Sequence, residues 1–285
     1  MPNPITWEEI EALRDRTFFR RRQQQLRDLD DAENFVKTVG FCFAFKAKNS
    51  ELPCMWHAAA GERNPDYPIH IQQDPHIGLV WNAKDALAAE RKVYYGKALK
   101  KRPTFISLDY FPAFYRLSGP QHGAEDYAAE YMRGQLSNEA KRIMEALMQQ
   151  SPMVTADLKM ASRLAHPDNR PAFDKAMAEL QAKLYIVKIG EFYDPFTFLW
   201  DMVERRFAEE IVRSQALTFS SARKSILQQY FKLLYVSNSI LIGRLFGWET
   251  DEIDEALSSL YEQGTIQPVE IKGEKRAFWA VSDLK

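Results

Sequence analysis

Lys84 and Asp85 are adjacent charged residues and are candidates for a catalytic site. They follow Trp81 near the expected start of a helix, so two charges and an indole ring can form a polar pocket with an aromatic wall. Burial disfavours the charged form of a lysine, and a neutral amine can attack a sugar carbon, whereas a solvated or paired lysine is inert. The sequence leaves both roles open for Lys84, and we assign Trp56 and Trp81 to the expected pocket.

Cysteine and histidine are too sparse in this chain to predict a metal site. Cys54 and His57 have half of a zinc-binding spacing, and His70 and His76 complete it only through a long loop. Structural zinc sites need a second closely spaced pair of ligands. A glycine-rich phosphate loop is also missing from the sequence, so we expect no metal and no cofactor.

The densest run of positive charge is Arg20-Arg21-Arg22, in the second half of a helix predicted over residues 6–27. One interpretation is an arm that contacts DNA phosphates. The other is a solvated face whose arginines pair with nearby carboxylates. The nearest carboxylates in the sequence belong to Asp28, Asp30 and Asp31.

The last sixty residues have the element order of a winged helix. Apolar residues recur at three- and four-residue steps over 226–234, which predicts a first helix. A second helix starts at Ser237 or Asn238 and ends at Gly247, and Thr250 caps a third. Two short apolar runs around a charged four-residue tip then predict a β-hairpin. Three helices followed by a hairpin are typical of a helix-turn-helix with a wing, a fold that binds nucleic acid.

A second set of elements repeats that order upstream. Thr155 caps its second helix, its third helix is predicted over 170–183, and a strand over 184–189 leads into a tight wing at Gly190 and Glu191. The shared order suggests a duplicated unit.

The first third of the chain has a less regular pattern. We predict helices over 30–39 and 81–96 and a strand over 104–108, and a turn-rich linker at 118–123 marks a boundary. The long segment 50–80 is rich in proline and glycine and is expected to be an irregular loop.

The net charge of −1 over 285 residues argues against a protein that binds DNA through an extended basic surface, so any phosphate contacts must be local. The third helix of the last unit has an acidic outer face that DNA would repel, so we expect it to face a protein partner. We therefore assign DNA contact to the arginine run and to the second unit. The predicted contact residues are Arg20, Arg21, Arg22, Arg163, Arg170 and Lys175.

Two further features bear on location. Apolar runs of about twenty residues, which span membranes, are missing from the sequence. Met1–Pro4 lead into a charged helix rather than the apolar core of a secretion signal. The chain has only two cysteines, which favours a reducing compartment, so we expect a cytoplasmic protein. We also expect it to be a monomer that does not bind membranes.

Three stretches together resemble the AlkZ-related proteins, relatives of the AlkZ-type DNA glycosylases. They are Phe35–Phe45, Leu52-Pro53-x-x-Trp56, and Trp81-x-x-Lys84-Asp85 with Tyr94-Tyr95-Gly96-Lys97. The resemblance implies three tandem winged helices that enclose double-stranded DNA, the first of them modified and lying within residues 30–118. The expected fold is thus mainly α with small β wings. Its expected divisions are an N-terminal helix over 1–29 and winged helices over 30–118, 119–205 and 206–285.

One departure from the glycosylases concerns their catalytic motif, Gln-apolar-Gln or Gln-apolar-Asp, which positions the attacking water. Alignment places Cys42 and Ala44 at the two polar positions. A buried thiol and a methyl group cannot orient water for attack. Gln72-Gln73-Asp74 has the spacing but lies elsewhere in the chain, so Asp74 is a candidate only for a relocated site.

Three functions therefore stay open. The first is a DNA-binding protein that lacks the glycosylase motif. The second is an active glycosylase with a displaced site at Asp74 or at Lys84 and Asp85. The third is a protein-interaction module that retains the winged-helix fold.

Overall fold

The computed structural model describes residues 5–48 and 51–284. Within these residues the fold is mostly helical, with three antiparallel sheets of three strands each. In every sheet the second strand of a hairpin lies in the centre, between its hairpin partner and a short strand from upstream in the chain. The helices in the described residues are all too short or too polar to cross a bilayer. Met1–Pro4, where a secretion signal would begin, lie outside the described residues.

Helix α1 (Trp7–Thr17) precedes the first unit and packs on the last one. The buried Arg14 donates hydrogen bonds to the carbonyl oxygens of Leu234 (2.9 Å) and Val236 (3.1 Å). The helix predicted over 6–27 is wrong in its second half. Phe19 has a φ of +58°, which ends the helix, and only a single 3-10 turn follows over Arg22–Gln24.

The first unit contains four helices and a sheet of order β1-β3-β2. Its elements are α2 (Leu29–Val39), β1 (Phe41–Phe43), α3 (Met55–Ala60), α4 (Pro75–Ala89), β2 (Val93–Leu99), β3 (Arg102–Ser107) and α5 (Phe111–Ser118). The helix predicted over 81–96 is wrong at both ends. It starts at Pro75, a residue suited to the first turn because it lacks an N–H. Its predicted last turn is strand β2, which pairs with β3.

The second unit has its own apolar core. Its elements are α6 (Asp126–Met132), α7 (Asn138–Gln149), β4 (Met153–Val154), α8 (Thr155–Ala161), α9 (Arg170–Ala182), β5 (Ile186–Tyr193) and β6 (Phe196–Met202). The tight wing predicted at Gly190 and Glu191 is wrong. The register shifts there by one residue, a bulge, and pairing continues until Tyr193 lies opposite Phe196. The hairpin is therefore longer than expected.

The third unit follows two short helices that the sequence pattern did not predict. These are α10 (Val203–Arg206) and α11 (Ala208–Gln215), followed by α12 (Phe219–Leu234), β7 (Val236–Ser237), α13 (Ser239–Phe246), α14 (Thr250–Glu262), β8 (Ile266–Val269) and β9 (Phe278–Val281). Asn238 caps α13 and Gly247 ends it in the left-handed conformation, as predicted. The cap of α14 is Glu249 rather than Thr250.

The first and third units share one apolar core, and a buried glutamine joins them. The Gln229 amide on α12 donates to the carbonyl oxygens of Thr38 and Val39, each at 3.0 Å, and accepts from the Tyr110 hydroxyl. Gly40 lies in this joint with a φ of +76°, and a Cβ there would meet the Tyr110 ring at 2.7 Å. The second unit instead meets the first unit through α9 on β2 and through β5 on α4.

Candidate functional site

A cluster of four charged side chains lies where helix α4 meets the β5–β6 hairpin. Lys84 Nζ is 2.6 Å from Asp85 Oδ1, and Lys188 pairs with Asp85 and, at 3.2 Å, with Glu191. The side chains of Lys188 and Glu191 are each only 7% exposed. Two cations thus balance two carboxylates in a largely buried setting, which the pairing makes tolerable.

The environment of the cluster favours the charged form of Glu191. Burial opposes that charge, but a hydrogen bond from Tyr193 and the positive charges of Lys188 and Lys84 outweigh burial and lower the pKa of Glu191. Lys188 also lies over two aromatic rings, 5.1 Å from the centroid of Phe198 and 5.8 Å from that of Tyr95. Burial raises the pKa of Tyr95, which therefore stays a neutral phenol.

Beside this cluster is a cavity of about 410 Å³ between the first and second units. Lys84 and Tyr95 line it from the first unit, and Lys188 and Trp200 line it from the second. The sequence thus identified Lys84 and Asp85 but missed Lys188 and Glu191. The available signal was a lysine inside the otherwise apolar run Ile186–Ile189, where an inward charge needs a partner.

The two positions predicted to align with the polar residues of the glycosylase motif are Cys42, on strand β1, and Ala44, which directly follows that strand. Cys42 and Ala44 are both completely buried there, and Cys42 lies opposite Phe105 on β3. Burial raises the pKa of the Cys42 thiol well above its usual value. Neither a protonated thiol nor a methyl group can activate water, so neither of these two side chains can do so.

The other predicted pocket and catalytic residues have structural partners. The Asp74 carboxylate accepts the Ile77 N–H at 2.7 Å and caps α4. Trp56 is buried against Phe45 and Tyr67, and Trp81 packs on the core shared with the third unit. Neither tryptophan lines the cavity beside Lys84.

The predicted DNA-contact residues differ in how freely their charges are presented. Arg21, Arg163 and Lys175 are exposed, as are the side chains of Arg22 (85%) and Arg170 (79%). Arg20 is only 9% exposed and pairs with Glu11 at 2.8 Å and Asp15 at 3.0 Å. The arginine run therefore divides into one arginine engaged within the fold and two that face solvent.

The β5–β6 hairpin exposes three aromatic rings at its tip. Phe192, Tyr193 and Phe196 are 52%, 74% and 59% exposed. Large apolar groups at the end of a projecting hairpin are uncommon on a free surface unless they meet a partner. No grouping of three or more His, Cys, Asp or Glu side chains arranged to hold a metal occurs in the described residues.

Comparison with known proteins identifies the family. The profile described as AlkZ related matches residues 26–247, most of the chain. The chain belongs to the AlkZ-related family. Among solved structures, its fold resembles that of the Streptomyces sahachiroi DNA glycosylase AlkZ, with a TM-score of 0.62 over 98% of this chain and 71% of the glycosylase chain. The two sequences are 9% identical, so this likeness shows the fold alone. No curated protein matches the sequence.

Two features stand out in the AlkZ-like fold of this AlkZ-related chain. Cys42 and Ala44, the residues predicted to stand at the motif positions, are both fully buried. Charged and aromatic groups are concentrated instead at the junction of α4 with the hairpin.

Proposed function

We propose that this AlkZ-related protein binds double-stranded DNA through three tandem winged helices and does not excise bases by activating water on β1. The observation that supports this most directly is the occupation of the two motif positions by Cys42 and Ala44, both fully buried within an AlkZ-like fold. A surface that binds DNA can persist when the groups that activate water are lost, because affinity and catalysis depend on different residues.

We place the winged helices at residues 30–118, 119–205 and 206–285, after an N-terminal segment of residues 1–29. The three similar sheets support this division. We further propose that the protein acts as a cytoplasmic monomer. The acidic outer face of α14, with Asp251, Asp254 and Glu255, would repel phosphates and is left for a protein partner.

The proposed DNA surface combines exposed cations with the tip of the hairpin. Its cations are Arg21, Arg22, Arg163, Arg170 and Lys175, and we leave out Arg20 because its guanidinium is buried in ion pairs. Exposed cations neutralise phosphates, while the aromatic rings at the tip provide stacking surface for bases.

Fluorescence anisotropy with a labelled duplex over a range of salt concentrations tests the proposal. We expect binding at low salt that weakens linearly in a plot of log K against log salt concentration. If the protein fails to bind DNA even at low salt, the DNA proposal is wrong and the protein-interaction module is left.

Base excision at a displaced site is the second candidate function, and the cavity beside Lys84 and Asp85 is what favours it. Release of an alkylated base from labelled duplex measures this activity directly. Activity that is lost in Asp85→Asn but retained in Asp74→Asn would establish excision at the charged cluster. If wild-type protein releases no base, the non-catalytic proposal is supported.

A further inference from the structure

The geometry points to the cavity between the first and second units as a binding site for a purine or pyrimidine ring. This goes beyond the proposed DNA binding, because a free nucleoside would fit the cavity whether or not the protein surface holds a duplex. The cavity lies along β2, at the opposite edge of the first sheet from β1. It is therefore separate from the strand that carries Cys42.

The walls of the cavity suit a planar ligand. Tyr95 comes from β2, Phe173 from α9, and Phe198 and Trp200 from β6, so aromatic rings enter from three elements. Stacking on such rings is favourable for any heterocyclic base. The volume of about 410 Å³ lies within the range of small-molecule pockets.

A buried amide supplies an acceptor in this cavity. Gln181 is 5% exposed, and its Nε2 donates to the carbonyl oxygen of Met177 at 3.0 Å. Because a carbonyl can only accept, the amide is held with Oε1 away from that bond, and the described residues donate no hydrogen bond to it. The ligand would satisfy this oxygen with an N–H or amino group.

Lys84 and Lys188, which line the same cavity as Gln181, supply hydrogen-bond donors. An ammonium has three protons, and Lys188 uses two of them on Asp85 and Glu191. Lys84 directs its own bonds to the two oxygens of Asp85, at 2.6 and 2.7 Å. Donors beside an acceptor match the edge of a nucleobase, which presents a carbonyl or ring nitrogen next to an N–H.

The balance of charge selects a neutral ligand. Three cations and one carboxylate line the cavity: Lys84, Lys97, Lys188 and Asp174. Two further carboxylates, Asp85 and Glu191, pair with Lys84 and Lys188. A phosphate or carboxylate would bring an uncompensated charge into this network, whereas a neutral ring would not.

Two sources of the ring are compatible with the cavity. Asp174 is 63% exposed, so the cavity reaches the surface on α9, the helix that also carries Arg170 and Lys175. A free nucleoside can enter from solvent. Alternatively, a base turned out of a duplex held by those two cations can enter at the same place.

Isothermal titration calorimetry with adenosine, guanosine, cytidine and thymidine tests whether a free nucleoside binds in the cavity. We expect at least one to bind, with affinity about five- to tenfold weaker in Gln181→Met and in Lys84→Met. Lys141→Met is the matched control, because Lys141, like Lys84, pairs with a carboxylate, Glu145 at 2.9 Å, but does not line the cavity. Thermal unfolding of each variant confirms that it is folded.

A duplex that contains the fluorescent base 2-aminopurine tests whether a base of bound DNA enters the cavity. A fluorescence change on binding that is lost in Gln181→Met and Lys84→Met, but kept in Lys141→Met, shows that a base enters the cavity. Dependence on Gln181 and Lys84 in either assay supports the inference and identifies the source. If neither assay depends on these residues, the inference is overturned. Fluorescence anisotropy of the same duplex measures DNA binding independently. Failure of the protein to bind DNA can therefore be distinguished from failure of a base to enter the cavity.

Discussion

Replacing Arg170 and Lys175 by alanine should weaken DNA binding by an amount that depends on salt in a defined way. Both side chains are exposed on α9, and the nearest carboxylate to Arg170, on Asp174, is 3.9 Å away. Such a surface pair is worth little, so the arginine is available to a phosphate. Substitution of exposed residues should also change the free energy of unfolding by no more than about 0.5 kcal/mol.

The magnitude follows from counterion release. Each lost phosphate contact lowers the slope of log K against log salt concentration by about 0.9, or about 1.8 for the pair. If the two proteins converge near 1 M salt, the variant binds about 60-fold more weakly at 0.1 M and about 18-fold more weakly at 0.2 M. Anisotropy of a labelled duplex at four or five salt concentrations measures both quantities.

Two control variants make this result specific. Lys232→Ala removes an exposed cation from the third unit and should leave the salt slope unchanged. Asp254→Ala with Glu255→Ala removes negative charge from α14 and should leave binding unchanged or slightly tighter. If the acidic pair abolishes binding while Arg170→Ala with Lys175→Ala has no effect, DNA contact belongs to a different unit.

Three further predictions concern a helix cap, a buried histidine and the aromatic tip of the β5–β6 hairpin. Asp74→Ala should lower the free energy of unfolding by about 1 kcal/mol in urea denaturation because it removes the cap of α4, whereas Asp74→Asn, which can still cap, should not. Burial and two nearby cations lower the pKa of His57 to about 4 from its usual 6.5. Between pH 4 and 6.5, His57 is therefore protonated in the unfolded chain but mostly neutral in the folded protein. The free energy of unfolding from urea denaturation should therefore fall by up to about 3 kcal/mol as pH drops from 6.5 to 4, and this fall should be smaller by that amount in His57→Gln. Phe192→Ala with Phe196→Ala should weaken DNA binding about tenfold without changing the salt slope, since the lost contacts are stacking contacts; a changed slope in the anisotropy titration would contradict this role.

The best-predicted part of the chain is the third unit, because local signals agree there. The apolar spacing over 226–234, the Asn238 cap and the Gly247 stop each depend on residues within a few positions. Such short-range interactions operate in any context, so they can be recognised without a structure. The same reasoning failed at β2 and at the β5–β6 hairpin. The hydrogen bonds that make these segments strands come from β3 and β6, which a local pattern does not reveal.

By itself, the sequence determined the helical character of the chain and the order of elements in its last two units, and it supplied the hypothesis that Cys42 and Ala44 replace two polar motif residues. These are properties of residue type and spacing. Only the tertiary structure decided which charged side chains are exposed and which form ion pairs. Arg20 is buried in ion pairs. Lys188, more than a hundred residues further along the chain, pairs with the same Asp85 carboxylate as Lys84. The reason is that an ion pair or a cavity depends on distance in space, and packing of α4 against β5 brings together residues that no sequence spacing connects.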